Sequence, residues 1–293
     1  MVKAQELREI LSRPYSLVVP GVYDCLSAKI SEKTGFEVIF TSGFGISAST
    51  LGLPDFGFLG ESEMIGRVNQ ISKSVNIPVV ADIDTGYGNQ INVIKTVSDI
   101  VDIGVAGVIL EDQMWPKKCG HFEGKQIISM EEHVEKIHAT IYARRESGLV
   151  IFARTDARAP LGLDEAIRRG RSYLDAGADV LFIEAPESVE ELREISSAFP
   201  DDWLLANMVE GGKTPLLSAE ELEELGYKFI VFPVSALFAA AEAMEKCLSH
   251  IKKCKSTAGY YDEFSLKNFE NIVDVSKFRI LEKRFGVKNR GSK

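Results

Sequence analysis

Asp82-Ile83-Asp84 places two carboxylates on one side of an extended segment, and Glu111 closes a second apolar run nearby in the chain. Three hard oxygen ligands without a histidine suit Mg²⁺ or Mn²⁺ rather than zinc, and such an ion keeps part of its water shell. Glu111 also opens a polar stretch, residues 111–125, that carries Lys117, Lys118, Cys119, Gly120, His121 and Gly124. It reads as an active-site loop. A cysteine beside cations is expected to have its pKa pulled below the usual value of about 8.5 and to exchange a proton near neutral pH, with His121 assisting. The same residues, read structurally, are a solvated loop and a set of helix caps.

Position along the chain favours chemistry. Eight short apolar runs, residues 16–20, 37–41, 78–82, 107–111, 150–155, 180–184, 204–208 and 229–232, alternate with helical patterns. Near-continuous rather than alternating apolar character is that of strands covered on both faces, as in a parallel sheet. Helices are expected at 129–146, 163–176 (stopped by Gly177), 218–225 (opening on a Ser-Ala-Glu-Glu capping box) and 235–254. A further helical stretch is expected at 262–285. Eight βα units predict an α/β (β/α)8 TIM barrel, with a doubly wound sheet as the alternative. Chemistry-bearing residues then fall at the carboxyl ends of consecutive strands: Ser42 and Gly43, Asp82 and Asp84, Glu111 and Asp112, Arg154 and Asp156, Glu184, and Asn207. That end of a parallel barrel holds the active site.

Composition narrows the function classes. The 293 residues are 45% hydrophobic, enough for one large core, and no linker divides them. A single domain, 1–293, is expected, with 255–293 as a C-terminal helical extension. Acidic residues exceed basic ones, 43 to 34, for a net charge of −9, with no long basic run. This disfavours nucleic-acid and membrane partners and leaves a small-molecule acid as the expected ligand. No apolar stretch approaches the roughly 20 residues of a membrane span, and the N-terminal residues lack a signal-peptide pattern. The expected location is cytoplasmic. Cys25, Cys119, Cys247 and Cys254 form neither a CxxC pair nor a zinc spacing.

Two nucleotide motifs are discounted. Gly43-Phe44-Gly45-Ile46-Ser47-Ala48 fits G-x-G-x-x-A, but Pro54 and the surrounding glycines predict a loop there rather than an immediate helix. Gly212-Lys213-Thr214 ends like a P-loop, but Asn207 stands where its first glycine belongs.

The strings PGVYDCLSAK, TSGFGISAS, LGLPD, ADIDTGYGN, LEDQMWPKKCGH, ARTDAR, EAP and NMVEGGKTP resemble the isocitrate lyase/phosphoenolpyruvate mutase superfamily over nearly the whole chain. The resemblance implies a barrel whose eighth helix swaps between subunits, in a homotetramer built as a dimer of dimers. It implies that Ser42, Gly43 and Phe44 hold the carboxylate of a 2-oxo or 2-hydroxy acid, and that Asp82, Asp84 and Glu111 position Mg²⁺, partly through water. Arg154, Gly120, Glu184 and Asn207 become substrate-binding residues. Asp55, Glu111, Cys119 and His121 become catalytic ones. Cys-Gly-His in the loop points to the carbon–carbon lyases, although carboxyphosphonoenolpyruvate phosphonomutase shares it. Methylisocitrate lyases carry arginines where this chain has Phe122 and Phe238, so the 2-alkylmalate-cleaving group is the nearest match. The resulting expectation is a Mg²⁺-dependent lyase acting on a substituted 2-hydroxy dicarboxylate. A phosphonomutase, an oxaloacetate-cleaving enzyme and a non-catalytic oxo-acid-binding barrel stand as alternatives.

Overall fold

The computed structural model describes residues 2–261 and 263–286. Eight parallel strands close into a barrel in sequence order: β1 (Leu17–Val22), β2 (Ile39–Thr41), β3 (Val79–Asp82), β4 (Gly107–Glu111), β5 (Val150–Thr155), β6 (Val180–Ile183), β7 (Trp203–Asn207) and β8 (Phe229–Phe232), with β8 pairing back onto β1. This is the (β/α)8 barrel. β3, β4, β5 and β6 are buried at every position, which is why they read as unbroken apolar runs.

Helix starts follow their capping residues. Ser129 caps Met130–Arg144, and Ser218 caps Ala219–Glu224 in the expected capping box. The helix Ser235–Cys254 has the expected bounds. Two elements differ from expectation. The stretch expected at 262–285 is two helices, Leu266–Ile272 and Val275–Phe285, separated where Asp274 takes a left-handed φ of 57°. Its expected first residue, Asp262, lies outside the described residues. Directly after β2, Ser42 caps a helix, Gly43–Leu51, where the glycines and Pro54 had predicted a loop. The side-chain cap and the left-handed Gly52 at its end outweigh the low helix propensity of three early small residues.

The barrel interior is a packed plug, not a pore. Leu17, Val19, Phe40, Val80, Ile109, Phe152, Phe182, Leu205, Phe229 and Val231 fill it, and Leu7, Ile10 and Leu11 of the helix Val2–Leu11 stop its amino end. Phe40, Ile109, Phe182, Leu205 and Val231 also form the floor of a cavity of about 330 Å³ at the opposite end. By backbone packing the chain divides into Met1–Phe238, which holds the barrel, and Ala239–Lys293. The three C-terminal helices contain no buried residue, and Met244, Leu248, Leu266, Phe278 and Phe285 are exposed apolar side chains on them. Among the described residues no helix is long and apolar enough to cross a membrane.

Candidate active site

The cavity lies at the carboxyl ends of the strands, where the polar residues were expected. Ser42, Gly43, Phe44, Asp55, Asp82, Cys119, Gly120, His121, Arg154, Glu184 and Asn207 all line it. Of the remaining sequence-derived candidates, Asp84 faces a small hollow behind Gly43 and Ser47, and Glu111 is buried beside Arg154.

The Ser42 hydroxyl accepts the Gly45 N–H and so caps the Gly43–Leu51 helix, which leaves its own O–H free to donate at the cavity wall. That helix's own bonding leaves the N–H groups of Gly43 and Phe44 free at its first turn, on the cavity wall. Backbone donors at a positive helix end form a ready anion site. A side chain at Gly43 would meet the Asp82 carboxylate, with 2.8 Å between a Cβ and Oδ2, so only glycine lets this helix start so close to β3.

The carboxylates behind it are crowded. Lys117 Nζ lies 2.7 Å from both Asp84 Oδ1 and Asp55 Oδ2, with its side chain only 3% exposed. Neither oxygen of the buried Glu111 accepts a hydrogen bond, although Oε2 is 3.2 Å from an Arg154 nitrogen. Burial pushes Asp84 up to about 7, with Lys117 opposing and Asp82 adding repulsion. Burial also raises Glu111 well above the usual carboxylate range. Among the described residues no three His, Cys, Asp or Glu side chains converge on one point as direct ligands. The donor set fits a hydrated Mg²⁺ or Mn²⁺ instead. Asp82 borders the cavity, and the bare oxygens of Glu111 and the crowded Asp84 are suited to coordinated waters.

Cys119 sits on a loop between β4 and Met130–Arg144 whose base is pinned by an antiparallel bridge, Gln113 to Ile127. Cys119, Gly120, His121 and Phe122 form a tight turn in which the Phe122 N–H donates to the Cys119 carbonyl at 2.9 Å. Gly120 admits no side chain, since a Cβ there would stand 2.5 Å from Arg154 and Glu184. His121 Nδ1 accepts the Lys213 N–H at 3.1 Å, and Nε2 lies 3.1 Å from Glu184 Oε1. Acceptance at Nδ1 puts the proton of the neutral ring on Nε2, which lies near Glu184 without a formed hydrogen bond, so His121 has no lone pair left for the thiol.

The expectation of an acidified thiol is reversed. Burial pushes Cys119 up to about 11, and although the His121 N–H and Lys117 pull it down, Asp55 and Glu184 add to the rise. The cations were there, but other groups engage them: Lys117 is held between Asp55 and Asp84, and Lys118 turns away to the Gly124 carbonyl. A pKa raised this way keeps the Cys119 thiol protonated at neutral pH.

Arg154 is held by Asp156 through Nε and a terminal nitrogen at 2.9 and 3.0 Å, and it also approaches Glu111 and Glu184. Asn207 Nδ2 is within 3.4 Å of Glu184. Lys125 ties the loop to the barrel by donating to Asp156 at 2.8 Å and to the Gly120 carbonyl. Reading by residue type took Lys117 only as a cation beside Cys119 and gave Lys125 and Lys213 no place in the site. Their partners lie at remote places in the chain, so no local spacing reveals them. Phe122 and Phe238 both line the cavity, with Val209 and Val234, and add apolar surface to its walls.

The phosphoenolpyruvate phosphomutase family model matches residues 7–252. The chain is 43% identical over 288 residues to 2,3-dimethylmalate lyase of Eubacterium barkeri, covering 98% of this chain and 99% of that one. It is 43% identical to the chloroplastic carboxyvinyl-carboxyphosphonate phosphorylmutase of Arabidopsis thaliana, covering 92% and 80%. Among solved structures, oxaloacetate acetylhydrolase in complex with 3,3-difluorooxalacetate superposes with a TM-score of 0.93 at 33% identity, over 98% of each chain.

Proposed function

This chain belongs to the phosphoenolpyruvate phosphomutase family, and we propose that within it the protein is a Mg²⁺-dependent carbon–carbon lyase that cleaves a 2-alkylmalate or a similar substituted 2-hydroxy dicarboxylate to a 2-oxo acid and a carboxylic acid. The observation that carries this reading is Cys119: a half-buried, protonated thiol at the cavity wall, on a turn hydrogen-bonded to the barrel, where an emerging carbanion needs a proton.

The Gly43 and Phe44 N–H groups hold the carboxylate next to the hydroxyl-bearing carbon. A Mg²⁺ ion, or Mn²⁺ in its place, positioned by Asp82 with Asp84 and Glu111 behind it, would supply Lewis-acid polarisation of the 2-oxygen and a template for the substrate. Arg154, Asn207 and the Gly120 N–H face the second carboxylate, and Asp55 holds Lys117 in the loop. A base takes the hydroxyl proton and later returns it to solvent, the C2–C3 bond breaks as the C2–O bond becomes a carbonyl, and the electron pair stays on C3. Cys119 delivers its proton there, and the thiolate is reprotonated before the next turnover. His121, held between Lys213 and Glu184, orients the turn and closes the site to water. The apolar surface of Phe122 and Phe238 favours an alkyl group over a third carboxylate, which would be left unpaired at a cost of about 1–3 kcal/mol. The C-terminal helices, with exposed apolar faces and no buried residue, suit a helix-swapped homotetramer of single-barrel subunits, with 255–293 as an extension, in the cytoplasm.

The test is Cys119→Ser, assayed with 2,3-dimethylmalate and Mg²⁺. Loss of the general acid is expected to lower kcat by about 10²–10⁴-fold, roughly 3–5 kcal/mol of barrier, with oxalate affinity retained. The 43% identical phosphorylmutase favours a second reading, phosphoryl transfer on a phosphonate. There the thiol only fills space, so no cleavage of 2,3-dimethylmalate by the wild-type protein, with near-wild-type turnover of a phosphonate by Cys119→Ser, supports that reading and overturns the lyase one; near-wild-type 2,3-dimethylmalate cleavage by Cys119→Ser removes Cys119 as the general acid.

A further inference from the structure

We propose that Phe122 is a positioning residue whose ring, seated against Phe44 and Phe56, docks the catalytic turn and thereby sets where the Cys119 thiol lies. The geometry is specific. Phe122 and Phe56 stand 5.5 Å apart between ring centroids, and Phe122 meets Phe44 edge-on at 6.4 Å. Phe122 cannot move without the thiol, because its N–H closes the turn on the Cys119 carbonyl. Both ends of the turn meet the same two-residue edge of the barrel. The Cys119 N–H donates to the Asp55 carbonyl at 3.1 Å, and Phe122 packs on the adjacent Phe56. Lys117 reaches the Asp55 carboxylate from two residues before Cys119. The polar contacts set direction, and the ring supplies burial that competing water does not weaken. The elevated Cys119 pKa agrees with a thiol held in this docked, desolvated position.

The substrate half of the proposal rests on the alkylmalate reading. Phe44 and Phe122 both line the cavity, whereas Phe56 does not. An alkyl group on the substrate would contact the same rings that dock the loop, so its binding energy would hold the turn down. Binding energy used that way appears in kcat rather than in KM alone. Methylation of the substrate therefore raises kcat, and it does so only while the ring at position 122 is present.

The first experiment needs no turnover. Cys119 alkylation by iodoacetamide is followed by peptide mass spectrometry in the full-length protein, with exposed Cys254 as internal reference. Two aromatic pairs are on the scale of about 10–100-fold in docked population. Phe122→Ala is expected to accelerate Cys119 labelling relative to Cys254 by that amount, and Phe122→Tyr to restore the slow rate. Phe56→Ala, at a ring already 37% exposed and therefore tolerant of change, is expected to accelerate labelling less, and to lower kcat more than it alters KM. Labelling of Cys119 within twofold of wild type in both Phe122→Ala and Phe56→Ala overturns the docking role. The second experiment compares kcat for malate and 2,3-dimethylmalate. Wild type is expected to favour the methylated substrate and Phe122→Ala to lose that difference; an unchanged difference overturns the substrate coupling. Should neither substrate turn over, the lyase reading fails while the labelling result still decides the docking role.

Discussion

Glu111 and Asp112 are adjacent at the end of β4, both buried, and they live in opposite worlds. Asp112 accepts hydrogen bonds from the Thr155 hydroxyl, the Tyr173 hydroxyl, Arg169 and the Asp156 N–H, all within 3.0 Å. Glu111 accepts none. Strand alternation accounts for the split, since successive side chains leave a strand on opposite faces. Glu111 turns toward the site beside Arg154. Asp112 turns out to Arg169 and Tyr173 of the helix Leu163–Asp175. A saturated buried carboxylate is scaffold, because any added ligand would have to displace a bond already made. A bare one keeps its acceptors for something that arrives.

The largest effect expected from this contrast is on stability. Asp112→Ala leaves Arg169, Tyr173, Thr155 and the Asp156 N–H without their shared acceptor, which for a broken buried pair costs about 3–5 kcal/mol. Denaturant unfolding measures it. A loss below about 1 kcal/mol would mean that saturation does not mark scaffold. On the ligand side the expectation inverts. Asp82→Ala should keep or raise the melting temperature, because it relieves repulsion on Asp84, yet lose Mg²⁺-dependent oxalate binding. The affinity loss should exceed the about 10–100-fold typical of changes in the shell around a metal's ligands. Calorimetric titration of oxalate with and without Mg²⁺ tests it, and unchanged affinity would remove Asp82 from the metal site.

The same contrast explains what the sequence disclosed. Strand positions and the polar strand ends were legible because burial on both faces and βα alternation are written locally, and polar residues from the ends of five strands, Ser42, Asp82, Arg154, Glu184 and Asn207, line one cavity at one end of the barrel. Glu111 and Asp112 could not be told apart by type, since each is one carboxylate after an apolar run. The pKa of Cys119 was misread for a related reason. Its neighbouring lysines are local, but the burial that raises the thiol comes from the closed barrel, and so do Asp55 and Asp84, which hold Lys117 from elsewhere in the chain. The helix at Gly43 was hidden because one capping serine outweighs several glycines.

The smallest effect tests whether an unsatisfied buried group can also belong to the scaffold. His133, on Met130–Arg144, is fully buried, and neither ring nitrogen has a hydrogen-bond partner. Its ring lies 4.5 Å from that of Tyr173, the residue that donates to Asp112. Burial, then Lys136 and Arg169, push its pKa down to about 3, with Asp156 partly opposing. The folded value lies below the unfolded one of about 6.5. As pH falls, the unfolded chain therefore takes up the proton first. Stability from this site is complete above pH 6.5 and declines between about 6.5 and 3. At pH 5 the loss amounts to about 2 kcal/mol, from one and a half units at 1.36 kcal/mol each. Every titrating carboxylate adds its own acid dependence, so the informative quantity is the difference between wild type and His133→Gln measured at pH 7.5 and pH 5. That difference should shift by about 2 kcal/mol in favour of the variant at the lower pH. A difference independent of pH would mean that the folded protein accommodates a charged imidazole there, and that the packing around Asp112 is looser than its hydrogen bonds indicate.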